Sequence, residues 1–421
     1  MLATLRSALR VGDLRRRLLY TLWMFAVFRV GAHIPVPGVN AEVFQQLFQS
    51  GSLLGLLDLF SGGALKAFSM FAMSITPYIN ATIIVQLLTV IVPRLERMMK
   101  EEGVEGRKKM TQWTRYLTTV LALVQAVGTS FYMRGAGALE DPGFSSIAIV
   151  CIVLTAGTTF LMWLGEQITE HGIGNGISLL IFAGIVARLP SGLGRVFNYI
   201  QVGSISWFNV ILTVVIGLLV IAAVVWINEG RRKMPVQYAR RVVGRRMMGG
   251  ASTFIPMRVN QAGVIPVIFA QSVILFPATI AGFITHPWAQ AVVSFLHYGG
   301  VWYSLIYFGL IVGMTYFYTA IVFNPVEVAN NIRKHGGFIP GIRPGRPTVQ
   351  YIDWVLTRIT LAGSIFLALI AIMPVFIEKI TAIPNLYFGG TALLIVVGVA
   401  LETMKQIEAH LLMRHYQGFI K

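Results

Sequence analysis

Apolar positions in this chain fall into long unbroken runs, not into the short stripes of a soluble fold. Ten runs approach the ~20 residues that a helix needs to cross a bilayer. They cover residues 18–34, 74–92, 116–133, 145–164, 172–189, 207–227, 263–284, 301–323, 354–377 and 387–401. The second run is the odd one. From Gly51 to Pro93 the chain carries only two charges, Asp58 and Lys66, and the stretch is about twice the length of one span. It is broken at Ser61-Gly62-Gly63 and again at Pro77. The pattern predicts a half-helix that enters the membrane, turns at residues 74–77 and continues as a full span. Irregular backbone at membrane depth survives only when buried in protein or lining a watery cavity, so this stretch predicts a pore or a binding site.

Two pairs of matching segments suggest a repeat. GISLLI at 176–181 resembles GTALLI at 390–395, and ITPYI at 75–79 resembles VIPVI at 264–268. Each pair lies five spans apart. Five is odd, so the second half enters the membrane inverted relative to the first, with the functional path between them. The expected architecture is an all-α polytopic membrane protein of ten transmembrane helices in two inverted five-helix halves. The halves would be residues 1–190 and 207–421, joined by an external connection at 191–206.

Composition supports the membrane assignment: 56% of residues are hydrophobic and 12% charged, against about 25% charged in soluble domains. The net charge of +17 must then sit in the loops. Sorted by the ten spans, 27 of the 34 lysines and arginines fall on the side of the two termini and five on the other. The positive-inside rule places both termini in the cytoplasm. The N-terminal basic segment runs directly into a span-length apolar stretch without a small-residue cleavage site, so no cleavable signal peptide is expected. One cysteine, Cys151, excludes disulfide frameworks and paired-cysteine zinc sites.

The residues give no sign of catalysis. HExxH and the P-loop pattern are missing, and Glu408, His410 and His415 do not share a helix face. No enzyme activity, cofactor or metal is expected. Carboxylates such as Glu166, Glu170, Glu327, Asp353, Glu378 and Glu402 fall at span ends or in loops, which argues against a proton relay. The polar groups within spans are neutral: Asn80, Thr82, Gln86, Gln125, Gln271 and Ser272. They read either as ordinary interhelical hydrogen bonding or as a seam that can open. Ile75 and Ile79 share a helix face, as do Ile177 and Ile181, and the repeat pairs Ile79 with Ile268 and Ile181 with Ile395. Isoleucine in a span is usually packing. At a pseudo-symmetric interface, however, these residues could form an apolar constriction that seals by dewetting. The loops at 229–260 and 324–350 are strongly basic, and Gly-Gly and Pro-Gly pairs shape the second into a tip carrying Arg343 and Arg346. Such a tip suits RNA phosphate or an acidic protein surface, whereas a basic loop alone also suits anionic lipid. A channel, a secondary transporter and a lipid-bound scaffold all remain open on these residues.

Several segments carry a resemblance: RVGAHIPVPGV at 29–39, SGGAL and SITPYINATIIVQLL within 61–88, GIGNGIS at 172–178, GVIPVIFAQSVILFPATI at 263–280, IPGIRPGRPT at 339–348 and YFGGTALLI at 387–395. Together they resemble the SecY family, central subunits of the bacterial Sec translocase, and they span essentially the whole chain. The resemblance implies a protein-conducting channel of the cytoplasmic membrane, passive and driven by the SecA ATPase or the ribosome. It implies a plug half-helix at about 61–73, with Ser61, Gly62, Gly63, Ala64, Phe68 and Phe71. Ile75, Ile79, Ile177, Ile181, Ile268 and Ile395 match the family's pore ring. A lateral gate for signal peptides and nascent chains would include Asn80, Gln86, Gln125, Ser272 and Phe276. Docking of SecA or the ribosome would use Arg240, Arg245, Arg246, Arg343 and Arg346, with Arg240 standing where the family often has lysine. SecE and SecG are the implied partner subunits, and anionic lipids the implied surroundings.

Overall fold

The computed structural model describes residues 10–40, 43, 61–141, 143–203, 205–238, 241–243, 246–248, 252–282, 286–287, 291, 294–296, 299–381 and 390–418. Its helices are α1 (Gly12–Gly31), α2 (Thr76–Ile91), α3 (Pro93–Glu101), α4 (Gly103–Gly135), α5 (Phe144–His171), α6 (Gly176–Ala187), α7 (Leu189–Gln201), α8 (Trp207–Glu229), α9 (Ile265–Gly282), α10 (Val301–Val322), α11 (Pro325–Lys334), α12 (Arg346–Thr381) and α13 (Gly390–Gly418). Seven candidate spans, some formed by consecutive helices, are long and apolar enough to cross a membrane among the described residues, and α2 and α9 are shorter apolar helices. With α1 these make the ten expected spans. Several helices start where sequence chemistry sets them. Asn175, Ser206 and Asn324 accept backbone N–H bonds at the N-termini of α6, α8 and α11. Pro77 sits in the first turn of α2, where its missing N–H costs nothing, so it opens that helix.

The packing repeats itself between halves. In the first half α1 packs on α5 and α6, α2 on α4, α4 on α5, and α5 on α6. In the second half α8 packs on α12 and α13, α9 on α10, α10 on α12, and α12 on α13. Across the halves α2 meets α9 and α6 meets α13, the same helices that carry the matching segments. Gly176 and Gly390 show the same correspondence. A Cβ at Gly176 would collide with the Gly165 carbonyl of α5, and one at Gly390 with the Ile370 carbonyl of α12. The glycine run at 172–176 is therefore a close-packed helix start.

Two features differ from the sequence expectation. The first is the segment expected as a half-helix at 61–73. Ser61 has helical geometry, but residues 62–75 run as successive turns. Gly62, Gly63, Phe68 and Ser74 all have positive φ, which a right-handed helix excludes. The earlier part of the stretch, residues 51–60, lies outside the described residues. The second is that the basic loops contain sheet. β1 (Arg231–Tyr238) pairs antiparallel with β4 (Ser252–Arg258), from Arg231↔Arg258 to Gln237↔Ser252, and β2 (Arg241–Val243) pairs with β3 (Arg246–Met248). From the other loop β5 (Gly337–Phe338) joins β1 at Gln237↔Phe338. Met234, Val236, Met257, Ile332, Ile339 and Ile352 are buried beneath this sheet, so the two loops form one body. Burying such side chains contributes roughly 1.5–3 kcal/mol each, more than loop charges alone could supply.

Candidate functional site

The segment after Ser61 is held from three sides. Its backbone pairs with the chain leaving α1: Val36 N–H donates to the Phe68 carbonyl at 3.0 Å, and Met70 N–H to the Ile34 carbonyl at 3.0 Å. The Phe71 ring stacks between Phe28 of α1 and Phe160 of α5, with centroids 6.1 Å away on each side. Arg29, one residue beyond Phe28, donates from Nη1 to the Gly62 carbonyl at 3.0 Å. A charged group inside an apolar span is costly unless it has a partner, and this carbonyl is one. Glycines allow the approach. A Cβ on Gly62 would lie 2.8 Å from the Gly184 Cα in α6, and one on Gly157 would strike the Met70 carbonyl. Ser61, Gly62, Ala64, Phe68 and Phe71 are all buried and Gly63 is half-buried.

Immediately beyond this segment lies the aliphatic group. Ile75 and Ile79 come from the start of α2, Ile177 and Ile181 from α6, Ile268 from α9 and Ile395 from α13. Five of the six are buried, Ile177 is partly buried, and all belong to one continuous apolar cluster shared by both halves. The four contributing helices are those that meet across the halves. The arrangement has no charge with which to bind a substrate, but it can exclude water and deform.

The polar seam is less connected. Asn80 and Ser272 are buried, Gln86, Gln125 and Phe276 half-buried, and no hydrogen bond joins these five side chains to one another. Thr82 is satisfied within α2 by the Tyr78 carbonyl. Gln271 lies near the Tyr307 hydroxyl of α10 at 3.5 Å, a long contact. Asn80 Nδ2 and Gln86 Oε1 are buried without a partner. An unsatisfied buried amide costs about 1–3 kcal/mol, so these two groups weaken the packing around α2.

At the basic face Arg343 and Arg346 are exposed. The loop turns at Gly336 before β5 and at Gly341 and Gly345 after it, all with positive φ, and Thr348 Oγ1 donates to the Arg343 carbonyl at 2.9 Å. Arg246 lies in β3 at the far end of the hairpin, while Arg240 and Arg245 lie outside the described residues. Sequence reasoning missed the Arg29–Gly62 bond, although a lone arginine inside an apolar run was its signal. It also missed the hairpin, whose β1 buries only alternate positions near its end.

The SecY family model matches residues 69–404. The chain belongs to the SecY family. Full-length relatives agree: the protein translocase subunit SecY of Halalkalibacterium halodurans is 49% identical over 100% of both chains. That of Aquifex aeolicus is 42% identical over 99% of both. Solved structures share the fold at low identity. One described as the structure of a protein conducting channel has a TM-score of 0.64 at 19% identity, covering 94% of this chain and 92% of its own. Canine Sec61 in a ribosome–channel complex has a TM-score of 0.61 at 17% identity with the same coverage.

Proposed function

We propose that this protein is a passive protein-conducting channel. It passes unfolded secretory polypeptides across the cytoplasmic membrane and releases transmembrane segments sideways into lipid. The observation that carries this reading is the aliphatic cluster at the crossing of α2, α6, α9 and α13, with the 61–75 segment seated against it. Ile75, Ile79, Ile177, Ile181, Ile268 and Ile395 form the constriction, sealing by dewetting around a chain of any sequence. The segment containing Gly62, Phe68 and Phe71 is the plug, latched by Arg29. Opening separates α2 from α9, where the unsatisfied amides of Asn80 and Gln86 lower the cost. Gln125, Ser272 and Phe276 complete the lateral gate that a signal peptide enters.

The driving force comes from outside, because the sequence carries no nucleotide-binding motif. Both termini and the basic sheet face the cytoplasm. Arg343 and Arg346, with Arg240, Arg245 and Arg246 of the preceding basic loop, dock the ribosome or SecA. Recognition of RNA phosphate or carboxylate by such arginines is charge-assisted. The ribosome-bound Sec61 relative supports the ribosomal arm. SecE and SecG are the expected companion subunits. The test is crosslinking of a stalled translocating chain to cysteines introduced at Ile79 and Ile268. Both should react with the same chain, and absence of both crosslinks would remove the constriction from the translocation path.

A further inference from the structure

The connection between the fifth and sixth spans is a helix, α7, with three distinct sides. Gly192 is buried, and Val196, Tyr199 and Ile200 are half-buried, so one side rests on the protein. Ser191, Arg195 and Asn198 form a second, exposed polar side. Leu189, Leu193 and Phe197 recur every four residues and form a third side, which is apolar and exposed; Leu193 is 68% and Phe197 54% accessible. A helix standing free in water would bury that stripe, and a helix crossing lipid would bury the polar side. A polar side and an apolar side exposed together fit a helix lying in the membrane interface.

We infer that α7 lies on the membrane surface opposite the termini, with Leu189, Leu193 and Phe197 set into the acyl boundary of the phospholipid leaflet. Three observations favour lipid as the occupant. The helix is set off from α6 by a turn at Arg188 and leads into the span α8, so it stays at that surface. Val202 after it and Trp207, Phe208 and Ile211 at the start of α8 are exposed apolar residues too, and the α8 span is 11% buried inside the protein. Residues 188–203 contain two arginines and no acidic residue, which suits an anionic lipid surface. The inference rests on the span order and not on the channel reading. If α7 also bridges the moving halves, lipid holds that bridge to the membrane.

The test uses the complex as purified from membranes, reconstituted in vesicles of phosphatidylethanolamine and phosphatidylglycerol. Cysteines replace Leu193, Phe197, Ser191 or Asn198 one at a time in a Cys151→Ser background, and each carries a nitroxide. If that background assembles poorly, the native chain serves, because Cys151 is buried. Collision with oxygen, concentrated in the bilayer, is compared with collision with a water-soluble nickel chelate. Labels at 193 and 197 should favour oxygen at depths of about 5–10 Å, and labels at 191 and 198 should favour nickel. Nickel access at all four positions would overturn the inference by placing the stripe in water. Exclusion of both reagents at 193 and 197 would overturn it by showing a protein cover.

Discussion

Replacing Arg29 with leucine should loosen the plug without unfolding the channel. The guanidinium donates one bond, 3.0 Å long, to the Gly62 carbonyl. A hydrogen bond involving a charged group is worth about 1.5–3 kcal/mol, so its loss should raise the ratio of displaced to seated plug roughly 10- to 150-fold. The other attachments remain: the two backbone bonds to residues 34–36 and the stacking of Phe71 between Phe28 and Phe160. The idle channel should therefore leak more often while staying mostly closed. Single-channel recording in planar bilayers reads this as a rise in opening frequency at unchanged conductance. Arg29→Lys, which keeps a charged donor, should leak less than Arg29→Leu. The latch acts through the plug, so Arg29→Leu should add nothing once residues 62–71 are deleted. Unchanged opening frequency in the intact channel, or added leakage in the plug-deleted one, would refute the reasoning.

Three further outcomes follow from the same contacts. Gly176→Ala and Gly390→Ala each push a methyl group into a carbonyl of the preceding span, and each should cost about 1–3 kcal/mol, read as a lower melting temperature of the purified complex. Asn80→Leu removes a buried amide that lacks a partner, so the closed gate should gain about 1–3 kcal/mol and precursor export should slow; faster export would contradict the assignment. Arg343→Glu reverses an exposed charge at the basic tip, so export should fall while the amount of channel in the membrane stays constant, as quantified by blotting of membrane fractions.

The sequence by itself determined the membrane class, the ten spans, the grouping of the basic loops with the termini and the five-span repeat. These follow from run length and charge, which are one-dimensional consequences of a bilayer's thickness and of the translocation cost of lysine and arginine. It also marked Gly51 to Pro93 as broken, because glycine and proline interrupt apolar helices wherever they occur. Tertiary structure decided what those local signals could not carry. Residues 62–75 are turns because their bonding partners are the chain after α1, Phe160 and Gly184, all distant in sequence. The pair β1–β4 is stable because β5, roughly 100 residues further on, extends its sheet and α11 and α12 bury its apolar side. Ile79, Ile181, Ile268 and Ile395 look like ordinary packing residues until two inverted halves bring α2, α6, α9 and α13 together. Run length and local propensity describe how each helix meets the membrane; only the meeting of helices from both halves places these four isoleucines in one apolar cluster, which is the basis for proposing them as a constriction.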